Sequence, residues 1–111
     1  MTKIFCDIAD INQIRVYNKK KIVMGFTTNP TLMRKAGAKD YLSYSKKILS
    51  ISYKKPVSLE VFADEPKDIK KQAFILNNLG KNVFVKIPVV NSKGLFLGKV
   101  IKELNKAKIK L

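Results

Sequence analysis

Short apolar runs recur along this chain at strand length, each followed by a stretch of helical spacing. Lys3 to Asp7 reads as a first strand, and Asp10, with Gln13 three residues on, is a capping-box-like start for a helix carrying Ile11, Ile14 and Val16. Ile22 to Phe26 is the second apolar run. After it Asn29 is placed as an N-cap and Pro30 as the first helical residue; Gly37 closes that short helix, and Asp40 caps the next, which runs to about Tyr53. Pro56 ends the helical stretch, and Val57 to Val61 is the third strand. Asp64, Glu65 and Pro66 open a helix ending at Gly80, and Asn82 to Ile87 is the fourth strand. A helix is expected from Ser92 through Leu97, Val100, Ile101 and Leu104, and Lys108 to Leu111 reads as the start of a fifth strand.

Strands of about five residues alternating with helices mean right-handed βαβ units and a parallel sheet. Side-chain alternation then separates an open doubly wound sheet from a barrel. Ile4 with Cys6, Val57 with Leu59 and Val61, and Val83 with Val85 and Ile87 form purely apolar faces. The opposite faces pair Phe5 with Asp7, Ser58 with Glu60, and Phe84 with Lys86. A sheet covered by helices on both sides requires two apolar faces. One greasy face, with carboxylates and an amine near the C-terminal strand ends on the other, is the pattern of a (β/α) barrel whose chemistry gathers at its C-terminal mouth. No phosphate-cradling glycine loop follows the first strand, which argues against a dinucleotide-binding fold. The expectation is an α/β chain, residues 1–111 forming one partial (β/α)8 barrel of about four βα units.

The 111 residues suit one compact domain or part of one, and 46% hydrophobic content is enough to build a core. No apolar run is long enough to span a bilayer and no signal-peptide pattern follows Met1, so a cytoplasmic protein without a membrane partner is expected. Cys6 is the single cysteine and there is no histidine, so no intrachain disulfide or zinc-type metal site is expected. The net charge of +15 raises the question of nucleic acid. Almost all of it is lysine, spread through the predicted helices; only Arg15 and Arg34 are arginines, and the arginine fork is what base and phosphate recognition favours. No nucleic-acid partner is therefore expected.

Four positions at successive strand ends carry the candidate chemistry. These are Asp7, the run Thr27-Thr28-Asn29-Pro30-Thr31, Glu60, and Lys86 within Val85-Lys86-Ile87-Pro88. Each has a structural alternative: Asp7 as a turn cap, Asn29 as a helix cap, Glu60 as a solvated strand end, Lys86 as a strand-end lysine reaching water. The apolar run around Lys86 carries a different expectation. Burial disfavours the ammonium, and a neutral amine is the nucleophile that Schiff-base chemistry with a carbonyl requires.

Together the four positions resemble the transaldolase family of class I aldolase-type barrels, from the first strand to the last residue. Thr-Thr-Asn-Pro-Thr and Val-Lys-Ile-Pro are the specific motifs, and Phe5-Cys6-Asp7 is weaker. The resemblance implies Lys86 as the Schiff-base lysine, Glu60 and Asp7 as proton-handling groups acting partly through a water, and Asn29 with Thr27 and Thr28 as substrate-binding residues. It implies sugar-phosphate substrates, transfer of a dihydroxyacetone unit within the pentose phosphate pathway, and no metal or organic cofactor. Fructose-6-phosphate aldolases of the family tend to carry glutamine where this chain has Glu60, which favours a transaldolase over the alternative of a lyase. Full-length members are about twice this long by resemblance, and their later strands supply a serine and a phosphate-clamping arginine. A truncated, weakly active or inactive enzyme is one expectation. A non-catalytic half-barrel that associates with itself or with a complementary C-terminal half is the other.

Overall fold

A computed structural model describes residues 2–111. Its elements are β1 (Ile4–Asp7), α1 (Ile11–Asn18), β2 (Val23–Thr27), α2 (Pro30–Lys35), α3 (Tyr41–Ile51), β3 (Val57–Glu60), α4 (Pro66–Asn77), β4 (Val83–Lys86) and α5 (Gly98–Lys106). The four strands form one parallel sheet in the order β1-β2-β3-β4. These four βα units are arranged as the N-terminal half of a TIM-type barrel. Parallel neighbours need a crossover to return the chain to the same end, so every αβ connection lies at one end of the sheet and every βα connection at the other.

The caps that start the helices were legible in the sequence. Asp10, Asn29 and Asp40 each accept a hydrogen bond at 2.9 Å from a backbone N–H three residues on, those of Gln13, Leu32 and Ser43. Pro30 and Pro66 occupy first helical positions, where the missing N–H costs nothing.

Register sorts the side chains into rows. Cys6, Phe26, Val57 and Val83 lie side by side on one face, with Leu59 beside Val85 on the same face. Ile14, Met33, Ile48, Leu49, Ile69 and Leu76 of the helices bury themselves with this face to make the core. The other face carries Asp7, Thr27, Ser58 and Phe84 in one row and Glu60 beside Lys86 in the next. None of these residues belongs to the hydrophobic core; Gly25 is buried because it lies under the Phe5 ring, and a Cβ there would meet the ring at 2.7 Å and the Pro56 carbonyl oxygen at 2.6 Å. The apolar and functional faces are thus the two that side-chain alternation separates.

Two expectations change. Residues 92–97 are not the start of a helix: Val90 bridges Phe96 antiparallel, and α5 begins at Gly98. Asn91 is the cause, because its Oδ1 accepts from the N–H groups of both Lys93 and Leu95 while Gly94 turns the chain at φ +81°. The terminal segment from Lys108 forms no strand, although the Val85 N–H donates to the Lys110 carbonyl at 2.8 Å, on the outer edge of β4. Among the described residues no helix is long and apolar enough to cross a membrane.

Candidate active site

Glu60 closes β3 and Lys86 closes β4, and the two are direct register partners on the open face. Alternation with the buried Leu59 and Val85 forces both side chains to that face. They form no ion pair; the salt bridges among the described residues are Lys70–Glu103 and Lys93–Glu65. Lys86 is exposed, which agrees with a strand-end lysine reaching water and not with the buried amine that its apolar run also suggested. The apolar neighbours that suggested burial, Val83 and Val85, point into the helix-covered core, and nothing among the described residues covers the face that Lys86 occupies.

Asp7 lies on the same open face at the end of β1, exposed, and accepts a 2.9 Å hydrogen bond from the Thr27 hydroxyl. Thr27 therefore belongs to the candidate site as an orienting partner of Asp7. Thr28, one residue on, faces the other way: it is fully buried and its hydroxyl donates to the Ser58 carbonyl at 2.7 Å. A substrate on the open face cannot reach it, so the expected contact from Thr28 is replaced by a bond that ties β2 to β3. Asn29 is half-buried, and its side-chain oxygen is spent on capping α2. Its amide NH2 makes no hydrogen bond among the described residues and can donate to a ligand.

Glu60 is held by a residue that no motif indicated. The Tyr41 hydroxyl donates to the Glu60 carbonyl at 2.8 Å and accepts from the Glu60 N–H at 3.0 Å. Burial pushes the Tyr41 phenol well above its ordinary value, so the hydroxyl keeps its proton and remains a donor. The Phe62 ring meets Tyr41 edge-on at 5.4 Å between centroids. A cavity of about 520 Å³ opens beside these groups, with Arg34, Lys39, Tyr41, Glu60 and Phe62 in its wall; Lys86 and Asp7 lie outside it. A smaller cavity of about 310 Å³ lies on the open face between Phe5, Thr27, Pro56, Ser58 and Phe84.

A parallel half-barrel with an amine and two carboxylates at its C-terminal strand ends defines an α/β-barrel protein of the kind whose sites form at that mouth. The transaldolase/fructose-6-phosphate aldolase family model matches residues 4–111, and the chain belongs to that family. It is 45% identical over 87 residues to a probable transaldolase of Sulfurihydrogenibium sp., covering 78% of this chain and 39% of the relative. It is 38% identical over 101 residues to a probable transaldolase of Dehalococcoides mccartyi, covering 91% and 47%. A probable transaldolase of Brucella ovis is 40% identical over 87 residues, covering 78% and 39%. The chain thus spans less than half the length of these curated relatives.

Proposed function

We propose that this chain carries the imine-forming part of a transaldolase, with Lys86 as the nucleophile. The observation that supports it most is the register pairing of Glu60 with Lys86, an acid and an amine side by side on the open face, in a chain of this family. The Lys86 amine adds to the C2 carbonyl of a ketose phosphate such as fructose 6-phosphate. Glu60 donates a proton to the C2 oxygen, which leaves as water, and an iminium remains. Asp7 takes the proton of the C4 hydroxyl, the C3–C4 bond breaks, and its electron pair moves into the iminium. The aldose phosphate departs, and the three-carbon enamine on Lys86 adds to the aldehyde of a second aldose phosphate. Hydrolysis of the new imine frees the product and the amine. Glu60, in place of glutamine, favours this transfer over simple aldol cleavage.

With Lys86 exposed on an open face, weak turnover is expected from the described residues alone. Borohydride trapping tests the assignment without requiring turnover. The chain is reduced in the presence of fructose 6-phosphate, and the adduct is mapped by peptide mass spectrometry. Preferential labelling of Lys86 is expected; labelling spread over the lysines according to their exposure contradicts the proposal. A second reading, a half-barrel that works by association, draws on the uncovered face around Phe5 and Phe84. A soluble homodimer in analytical ultracentrifugation that forms no Lys86 adduct favours that reading.

A further inference from the structure

We propose that the end of the sheet opposite the candidate active site is a docking surface for an anionic lipid membrane. In sequence the lysines look dispersed, but the parallel topology gathers the αβ connections, the residues just before β1, the C-terminus of α5 and the segment after it on one face. These segments hold Lys3 before β1; Lys19, Lys20 and Lys21 before β2; Lys54 and Lys55 before β3; and Lys81 before β4. Lys106, Lys108 and Lys110 join them from the end of α5. All ten are exposed except the half-buried Lys55. The same segments contain no aspartate or glutamate, and of the chain's eight acids all but Glu103 lie towards the opposite end. No acid within the face balances this charge, so its complement is an external polyanion.

Two features favour a lipid surface over nucleic acid. Ile22 projects from the tip of the first lysine-rich connection with 64% of its surface exposed, and Tyr53 from the next with 66%. The two tips are tied together by the Lys55 ammonium, which donates to the Lys20 carbonyl at 2.9 Å. An aliphatic tip among lysines neither stacks on a base nor bonds a phosphate, but it enters a headgroup layer readily, and a tyrosine suits the interface. The segments carry no arginine and one aromatic residue, Tyr53; Phe84 of β4 adds a second ring on this face, but the Lys110 ammonium already lies over it, which leaves little for a stacking platform. A pocket of about 350 Å³ on this face, lined by Tyr53, Lys54, Lys81, Phe84 and Lys110, can accept a phosphate-bearing headgroup. Lys110 Nζ is fixed there, donating to the Lys81 carbonyl at 2.7 Å and lying 5.0 Å from the Phe84 ring centroid.

The proposal is independent of the reading given to Lys86, and co-sedimentation of the full chain with vesicles tests it. Binding to phosphatidylcholine vesicles containing phosphatidylserine is expected, with none to pure phosphatidylcholine and with loss in high salt, where charge attraction is screened. Because a lysine near an anionic surface contributes about 1 kcal/mol, Lys21→Gln with Lys54→Gln weakens binding roughly thirtyfold. Lys35→Gln with Lys67→Gln, an equal change of net charge at the other end, weakens it far less. Ile22→Ser lowers binding at unchanged charge, and circular dichroism confirms that each variant folds. Equal losses from the two lysine pairs, no preference for anionic vesicles, or tighter binding to single-stranded nucleic acid than to vesicles overturns the proposal.

Discussion

The Tyr41 hydroxyl stands in for the strand that Glu60 lacks on its β2 side. Val61 donates its N–H to the Lys86 carbonyl of β4, so by alternation the Glu60 peptide groups point towards β2. The β2–β3 ladder has already ended at Ser58, whose carbonyl takes the Thr28 N–H at 3.2 Å. One phenol, 19 positions away in sequence, satisfies both Glu60 groups.

Tyr41→Phe therefore strands a backbone donor and an acceptor, at a cost of about 1–3 kcal/mol measurable by urea denaturation. The wild-type chain also has an alkaline signature. In the unfolded chain Tyr41 ionises near about pH 10, whereas burial holds its folded pKa above that. Above the unfolded value the unfolded state binds fewer protons, so stability falls as pH rises further. Tyr41→Phe removes this contribution, and its stability declines less steeply above that pH. Identical alkaline slopes in the two proteins contradict this account.

The capping role of Asn29 and its proposed substrate contact are separated by a pair of substitutions. Asn29→Ala removes the α2 cap and is expected to cost about 1 kcal/mol. Asn29→Ser keeps a capping oxygen and costs a few tenths, but lacks the amide NH2 proposed to face substrate. Wild-type stability with reduced borohydride trapping at Lys86 is the expected outcome for the serine variant. Undiminished trapping removes Asn29 from the substrate contacts.

Asp64 fastens the 89–97 hairpin to the β3–α4 loop. Its carboxylate accepts from the Ser92 N–H at 2.8 Å and from the Ser92 hydroxyl at 2.6 Å, and these bonds hold its pKa below the usual carboxylate value. A depressed folded pKa means that the tether is complete above the unfolded value, near about pH 4, and is lost as pH falls through the folded one. Protection of the Ser92 amide, measured against its intrinsic exchange rate at each pH, should fall over that acidic range, and Asp64→Ala should show low protection at every pH. A Ser92 amide equally protected in Asp64→Ala rules the tether out.

Gly25→Ala tests the contact on the open face. The added methyl would sit 2.6 Å from a backbone oxygen, which cannot swing away as a side chain can. A loss of about 1–3 kcal/mol is expected in denaturant titration. Shortening Phe5 to leucine in the same chain relieves only part of it, because the Pro56 carbonyl remains.

Much of this was legible because its causes are local. Asp10, Asn29 and Asp40 bond N–H groups three residues away, and the apolar and polar faces of β3 and β4 follow from alternation alone. Asn91-Ser92-Lys93-Gly94 also carried a local signal, an asparagine followed by a glycine that turns; the helical spacing of the apolar residues beyond obscured it. The choice between an exposed and a buried Lys86 stayed open in the sequence, because it depends on what covers the other side of a sheet. Nor was the gathering of lysines, since it arises from topology: no single segment is more basic than Lys19-Lys20-Lys21.

The bond from Val85 to Lys110 makes the two margins of the sheet unequal. Lys110 occupies a backbone donor on the outer side of β4, while among the described residues no such bond is made along the outer side of β1. A strand added beside β4 would first have to displace Lys110, and one added beside β1 would displace nothing described.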